Sequence, residues 1–422
     1  MEREVRRWDY FIGVIIFLIS LAAFLYRIQF PPIQIFDENF YVSAAKQIWS
    51  LGVNENWSHP ILGKALVGAG IRLAGDNPLG WRLMSGLFGA ITLVIFYLWA
   101  LQLFRSQAAA LSVAAFCMLN QLHFIEARTA NLDIFMMTFI SLGFLAVSRL
   151  WMEREILISR QRFALSALAI VAFAFAIACK WFALVPAFLA LGLVTFNNRH
   201  EAFRVRVFRL VKVLASSLAV YTVASGVLFV MSPPHTSGET YGLLDFLALQ
   251  WKMGMAQLSF SAPHHPYASA WWSWPLLIYP SWYHVEVPTP FHYSGIFYVG
   301  NLPIFWTGFL CAILSLYWSC KGARDSIFIS VLFFGMWLCW PLIPRQGSFL
   351  HYYYPASMML SFVLVDTGRK LKIPMSIRAA FFTICLLNFV FFYPVLTGQE
   401  LTRQQLNRRI FFSTWVGLTG QF

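Results

Sequence analysis

Charge is what this sequence has least of. Only 12% of its 422 residues are Asp, Glu, Lys or Arg, about half the share found in a soluble globular chain, which excludes a large soluble domain. Acidic residues are scarcer than basic ones, 18 against 31, for a formal net charge of +13. The six cysteines, Cys117, Cys179, Cys311, Cys320, Cys339 and Cys385, fall in or at the ends of apolar runs. That placement gives neither a disulfide framework nor a zinc spacing. There is no GxxxxGK[ST] loop and no dinucleotide fingerprint, so nothing points to a nucleotide-bound substrate. Internal repeats and low-complexity tracts are also lacking, which argues against a transporter built from inverted repeats.

What the chain does have is apolar length. Hydrophobic residues make up 59% of it, aromatics 18%, and the mean hydropathy is +0.64. A helix needs roughly 20 apolar residues to cross the hydrocarbon core, and about eleven runs of that kind are present. They lie near 10–28, 80–104, 107–124, 131–151, 163–179, 181–197, 210–231, 298–318, 325–343, 350–367 and 376–396. The first follows Arg3, Arg6 and Arg7 and precedes no small-residue cleavage site, so it reads as a retained anchor. An all-α polytopic membrane protein is the expected fold class. Of the 31 basic residues, 19 fall in loops that are cytoplasmic if the N-terminus is inside. Among them are Arg105, Arg149, Arg154, Arg199, Arg204, Arg324 and Arg369. This bias predicts an N-terminus inside and a C-terminal tail outside, and it makes the net charge a matter of membrane orientation rather than nucleic-acid binding.

Two outer segments are too long for simple turns, about 29–79 and 232–297, and long loops in a compact protein are usually functional. They divide the chain into an N-terminal membrane module over 1–231, an outer loop over 232–297 with an interfacial helix from Tyr241 to Phe260 and a Trp-rich stretch, and a C-terminal module with an outer tail over 298–422. Helix-compatible sequence also runs from His59-Pro60-Ile61-Leu62-Gly63-Lys64 to about Leu73.

The remaining charges gather at the outer helix mouths: Arg27, Asp37, Glu38, Arg82, Glu126, Arg128, Asp133, Lys180 and Arg345. Eight of the nine histidines are outside as well, all but His200. Ionisable groups near bilayer depth are costly unless paired or wetted, so they are functional candidates by default. The adjacent pair Asp37-Glu38 is the most telling, because a carboxylate can take a proton from an attacking hydroxyl while Arg or Lys stabilises a departing phosphate. For Arg128 and Asp133 a structural ion pair and a ligand contact are both open. His264, His265 and Glu286 are too irregularly spaced for a metal site. The sequence names no cofactor and leaves a divalent metal undecided.

Several blocks in order resemble one family. Phe36-Asp37-Glu38 looks like an FDE motif and His59 to Lys64 like HPPLGK, with Ile61 in place of the second proline. Gly75-Asp76-Asn77-Pro78-Leu79-Gly80-Trp81-Arg82 is similar to GDNPxGWR. Ala127-Arg128 through Leu132-Asp133 is similar to (S/A)RxxxLD, and Lys180-Trp181 to a KW block. His265, Tyr267, Ser269, Trp271-Trp272, Trp274 and Pro275 resemble HxYxSxWWxWP, and Gly347 to Pro355, with His351-Tyr352 and Pro355, resembles a later HY segment. Together these resemble the protein O-mannosyltransferases of the GT-C superfamily of polyprenyl-phosphate-dependent glycosyltransferases. The resemblance implies a GT-C fold of eleven spans and inverting transfer of mannose from a polyprenyl-phosphate lipid to Ser or Thr hydroxyls on the outer face. The second long loop has no room for MIR modules, which points to a short prokaryotic type.

Carried over by motif, Asp37 is the expected base and Glu38 its supporting neighbour. Arg82, Lys64, Arg27 and Arg128 are expected at the donor phosphate. His59, Asp133, Lys180, His265, Tyr267, Trp271, Trp272 and His351 are expected to line the pocket. The implied partners are a polyprenyl-phosphate sugar donor, a protein or glycan acceptor and the bilayer, with no nucleic acid. A glycolipid-directed, aminoarabinose-type transferase is the nearest alternative, and a lipid-linked sugar flippase a more distant one.

Overall fold

A computed structural model describes residues 7–153, 156–197, 201–234, 242–261, 265–289, 292–345 and 347–416. Arg3, Arg6, Arg154, Arg199, His200, Tyr241 and His264 lie outside the described residues.

Helices occupy each of the apolar runs. They are α1 (Arg7–Leu25), α4 (Pro78–Phe104), α5 (Gln107–Leu119), α7 (Leu132–Met152), α8 (Ser159–Cys179), α9 (Leu184–Phe196), α10 (Phe203–Met231), α12 (Leu302–Cys320), α13 (Arg324–Leu338), α14 (Tyr354–Lys370) and α15 (Met375–Leu396). Among the described residues, eight helical segments are long and apolar enough to cross a membrane. Helices α5 and α9, of 13 residues each, and α14, of 17, are shorter than a full crossing. Outward faces of α1, α10 and α15 expose Phe11, Leu18, Val223, Val227, Leu387 and Val390, the surface a bilayer covers at no cost in water contact. This is a multi-pass membrane protein.

The 107–124 run is not one span. Asn120 interrupts it in an extended conformation, and its side-chain oxygen accepts from the Leu122 N–H at 3.1 Å to start a separate helix, α6 (Gln121–Glu126). The break turns the chain so that Glu126 faces inward. Lys180, likewise extended, separates α8 from α9.

Helices α2 (Glu38–Leu51) and α3 (Leu62–Ala74) form the first long loop, and α3 packs along α4. The hairpin between α3 and α4 depends on its glycines. Gly75 takes φ +86°, and a Cβ on Gly80 would sit 1.9 Å from the Gly75 carbonyl. Asn77 then caps α4 by accepting from the N–H groups of Leu79 and Gly80, with Pro78 in the first turn, a strong helix start.

The expectation of an all-α chain fails in the second long loop. After α11 (Leu243–Leu258), strands β1 (Ser281–Thr289) and β2 (His292–Tyr298) pair antiparallel, with Ser281 opposite Tyr298 and a bulge between Trp282 and His284. A two-residue strand, β3 (Leu401–Thr402), adds to the far edge of β2 and leads into α16 (Arg403–Asn407). The alternation of Trp282, His284 and Glu286 with Tyr283, Val285 and Val287 is a strand period. An aromatic cluster ties the two halves of the helical body: Trp99 of α4 packs on Phe144 at 5.3 Å and on Phe362 of α14 at 4.2 Å.

Candidate active site

The site forms where the first long loop, the α6–α7 turn, the Lys180 break, strand β1 and the 347–353 segment meet. Asp37 ends the loop from α1 and precedes the first turn of α2, whose Tyr41 hydroxyl lies 3.5 Å from Asp37 Oδ2. The carboxylate is half-buried. Loss of water pushes its pKa from 3.8 to about 6; the Lys180 ammonium opposes that rise, and the Asp133 carboxylate and the Tyr41 hydroxyl respectively reinforce and moderate it. A carboxylate poised near 6 is a competent proton acceptor at neutral pH.

Across from it, Lys180 Nζ pairs with Asp133 Oδ2 at 2.6 Å and sits 5.7 Å from the Tyr352 ring centre. Burial works against the Lys180 charge, but Asp133 outweighs it and raises the pKa. Arg345 also lies over Tyr352, at 5.0 Å, and over Phe260 at 4.5 Å. Among the described residues Arg345 pairs with no carboxylate; Gln257 Oε1 accepts from it at 3.5 Å. His59 meets Tyr41 edge-on at 6.0 Å. Burial, then Lys180, Lys64 and Arg345, hold the His59 imidazole well below its usual pKa, so it is neutral. His351 is buried, its Nδ1 without a hydrogen-bond partner among the described residues, and lies edge-on to Phe36 at 5.4 Å and to Tyr352 at 4.3 Å.

The other residues singled out from sequence are placed differently. Glu38 is fully buried, and its two oxygens receive Arg82 Nε at 2.7 Å and an Nη at 2.8 Å, with the Ile35 and Ala130 N–H groups at 3.0 and 2.8 Å. The remaining Arg82 donors go to the carbonyls of Ile28, Pro31 and Ile33 at 2.8–3.0 Å. All five N–H groups of that guanidinium are therefore used, and none is left for a phosphate. Lys64 is likewise enclosed: its ammonium donates to Asn54 Oδ1 at 2.9 Å, to the His59 carbonyl at 2.8 Å and to the Asn56 carbonyl, clasping the loop that carries His59. Arg128 makes no pair with Asp133; it donates to the carbonyls of Ala23, Phe24 and Tyr26 at the end of α1, where a cation suits the helix dipole. Arg27 is exposed, has φ +54° and lines a separate surface pocket of about 360 Å³ with Leu25, Gln29, Phe30 and Leu79.

A family model described as "Dolichyl-phosphate-mannose-protein mannosyltransferase" matches residues 14–232. The chain belongs to this family. Among curated mannosyltransferases, a polyprenol-phosphate-mannose–protein mannosyltransferase of Mycobacterium tuberculosis is 24% identical over 90% of this chain and 86% of its own length. The counterpart from Mycolicibacterium smegmatis is 23% identical over 90% and 87%. In fold, the chain is similar to the Saccharomyces cerevisiae Pmt1–Pmt2 complex bound to the sugar donor, with a TM-score of 0.79, 12% identity and coverage of 98% and 93%. ArnT of Cupriavidus metallidurans bound to undecaprenyl phosphate follows at a TM-score of 0.56, 15% identity and coverage of 85% and 59%.

In this mannosyltransferase the C-terminal block is joined to the site through the backbone. Ser269 N–H donates to the Ser348 carbonyl at 2.7 Å, and Ser348 Oγ to the Ser269 carbonyl at 2.6 Å, which ties the 265–275 segment to the strip bearing His351 and Tyr352. His265 is exposed and edge-on to Phe349, and Tyr267 is buried. Trp271 is held on α13 by the Trp337 indole, which donates to its carbonyl at 2.9 Å, while Trp272 is 52% exposed. Neither indole is among the groups packed on Asp37. Arg345 is marked in sequence as one of the helix-mouth charges without a place in the site; site residues outside the sequence-derived set are Tyr41, Tyr283 and Tyr352. Tyr41 stands four positions after Asp37, a helical spacing legible in sequence; the others come from distant segments.

Proposed function

We propose that this protein transfers mannose from a polyprenyl-phosphate lipid to a Ser or Thr hydroxyl of a protein acceptor at the extracytoplasmic face of the cell membrane. The supporting observation is Asp37, a half-buried carboxylate whose pKa burial raises to about 6, with the Lys180 ammonium acting on it and Lys180 and Arg345 both within 6 Å of the Tyr352 ring centre. The acceptor oxygen attacks the anomeric carbon with inversion and its proton passes to Asp37. The bond from that carbon to the phosphate oxygen breaks, and the electron pair leaves on the lipid phosphate. Lys180 and Arg345 meet the charge that develops there.

This assigns the donor phosphate to Lys180 and Arg345 instead of Arg82 and Lys64, whose donors are consumed within the protein, and Arg128, whose Nη1 is turned to the carbonyls at the end of α1. Neutral His59 and His351 are suited to hydrogen bonding with sugar hydroxyls. Eleven crossings with the N-terminus inside, the three short helices included, bring all of these groups to one face, in keeping with the basic inside loops. The test is to give purified protein polyprenyl-phosphate mannose and a Ser/Thr-rich peptide. Mannosylated peptide with one polyprenyl phosphate released per transfer is expected, and none from Asp37→Asn. A mannosylated lipid as the sole product would replace the protein acceptor with a glycolipid one; transfer by Asp37→Asn at the full rate would remove the base.

A further inference from the structure

Asp37 sits on a loop that is gripped from both sides. Downstream, Glu38 is locked by Arg82 and the Ala130 N–H. Upstream, Phe36 adopts φ +47°, an uncommon conformation for an aromatic residue that persists only where the surroundings enforce it. The enforcing contact is Tyr283 of β1. Its ring is stacked on Phe36 with centres 3.9 Å apart and planes within 5°, and on Tyr298 of β2 at 4.5 Å and 10°, so the Tyr283 ring lies between the other two. Its hydroxyl donates to Glu126 Oε1 at 3.3 Å, and Asn131 Nδ2 holds the other Glu126 oxygen at 3.1 Å. The strand behind it is tied down as well. The Trp282 indole donates to the Trp415 carbonyl at 3.0 Å, the Trp415 indole to the Leu277 carbonyl at 2.7 Å, and β3 pairs with β2.

We propose that Tyr283 is a positioning residue for Asp37: the β1–β2 hairpin presses its ring onto Phe36 and thereby fixes where the next side chain points and how far water reaches it. A sheet in an otherwise helical protein acquires a use on this account, as a rigid arm carrying one ring to the base. The inference rests on the proposed transfer for its kinetic readout alone.

The experiment compares Tyr283→Leu, which abolishes the stack, with Tyr283→Phe, which keeps it and loses the Glu126 bond. In full-length protein given polyprenyl-phosphate mannose and peptide, Tyr283→Leu is expected to lower kcat by about 10- to 100-fold with donor KM within about twofold, the scale of a base misplaced by about 1 Å. Tyr283→Phe is expected to retain most of the rate. Independently of any substrate, infrared titration of the Asp37 carboxyl, assigned by subtracting Asp37→Asn, is expected to show a midpoint near 6 in the parent. The midpoint should fall toward the ordinary carboxylate range in Tyr283→Leu, where water reaches the group. If Tyr283→Leu does not fold, Phe36→Leu removes the same stack from the other side. Unchanged titration in the stack-free variant overturns the proposal, whether or not kcat falls with thermal stability. A parent protein that transfers no mannose removes the functional reading, while the titration still decides the positioning.

Discussion

Replacing Arg82 by Ala separates two readings of the same residue. Every donor of this buried guanidinium is committed, to both Glu38 oxygens and to the carbonyls of Ile28, Pro31 and Ile33. The substitution leaves an uncompensated carboxylate in a fully buried position and three carbonyls of the loop leading to Asp37 without this partner. Breaking one side of a buried ion pair costs about 3–5 kcal/mol. In a chain of this size that corresponds to a fall in the unfolding midpoint of roughly 3–6 °C. Glu38→Gln strands the guanidinium instead, at a comparable cost, and because the two residues act as one unit the double variant should lose less than the two single losses together, by up to about 3 kcal/mol. Arg82→Lys keeps the charge but brings three donors where five are engaged, so it should rescue only in part. Thermal unfolding in detergent at a fixed scan rate measures the series, and donor KM is measured on the folded fraction. The reasoning predicts stability losses with donor KM nearly unchanged. A thermally normal Arg82→Ala with a raised donor KM would refute it and return Arg82 to the phosphate.

Further outcomes follow from the same geometry. Asp37→Asn should lose about 10²- to 10⁴-fold in turnover and yet unfold later than the parent at pH 8. Burial raises the folded-state pKa from 3.8 to about 6, so the cost of ionisation in the fold grows between those values and levels off above 6 at about 3 kcal/mol. Asn avoids that cost, and the stability gap should close below pH 4. The rate kcat/KM should rise with pH through an acid limb near 6 set by Asp37; a limb near 4 would show that the carboxylate is not desolvated. Arg345→Ala should lower donor kcat/KM about tenfold or more with the unfolding midpoint nearly unmoved, because among the described residues its partners are Gln257 and aromatic faces. Lys64→Met should do the opposite, loosening residues 54–59 and lowering the midpoint while leaving donor KM in place.

The helical body was legible because lipid exposure and helical period both write themselves into hydropathy. The break at Asn120 was not, since one polar residue barely alters an 18-residue run, although Asn is a good helix cap. The hairpin was legible in the alternation from Trp282 to Val287 and was masked by the surrounding aromatic content. At the site, the cost of burying charge singled out Glu38, Arg82 and Arg128, and the motif resemblance Lys64, as functional candidates, the three cations at a donor phosphate. Neither said which partners they have. Arg82 finds Glu38 across 44 positions of sequence, and whether a buried guanidinium faces a carboxylate and carbonyls or a ligand depends on tertiary packing. Arg345 and Tyr352 lie close in sequence, but their sharing of a face with Lys180 arises only when the 347–353 segment folds over the helix break.

The closing strand has a consequence in time. Asp37 emerges early in synthesis, whereas β3 and Trp415, which secure the hairpin bearing Tyr283, come hundreds of residues later. A nascent chain can insert its first helices and expose its acidic pair to water long before the hairpin is fastened. Completion of the surroundings of Asp37 is thus coupled to completion of the polypeptide, and a chain stalled short of residue 401 would sit in the membrane with a wet, loosely aimed carboxylate.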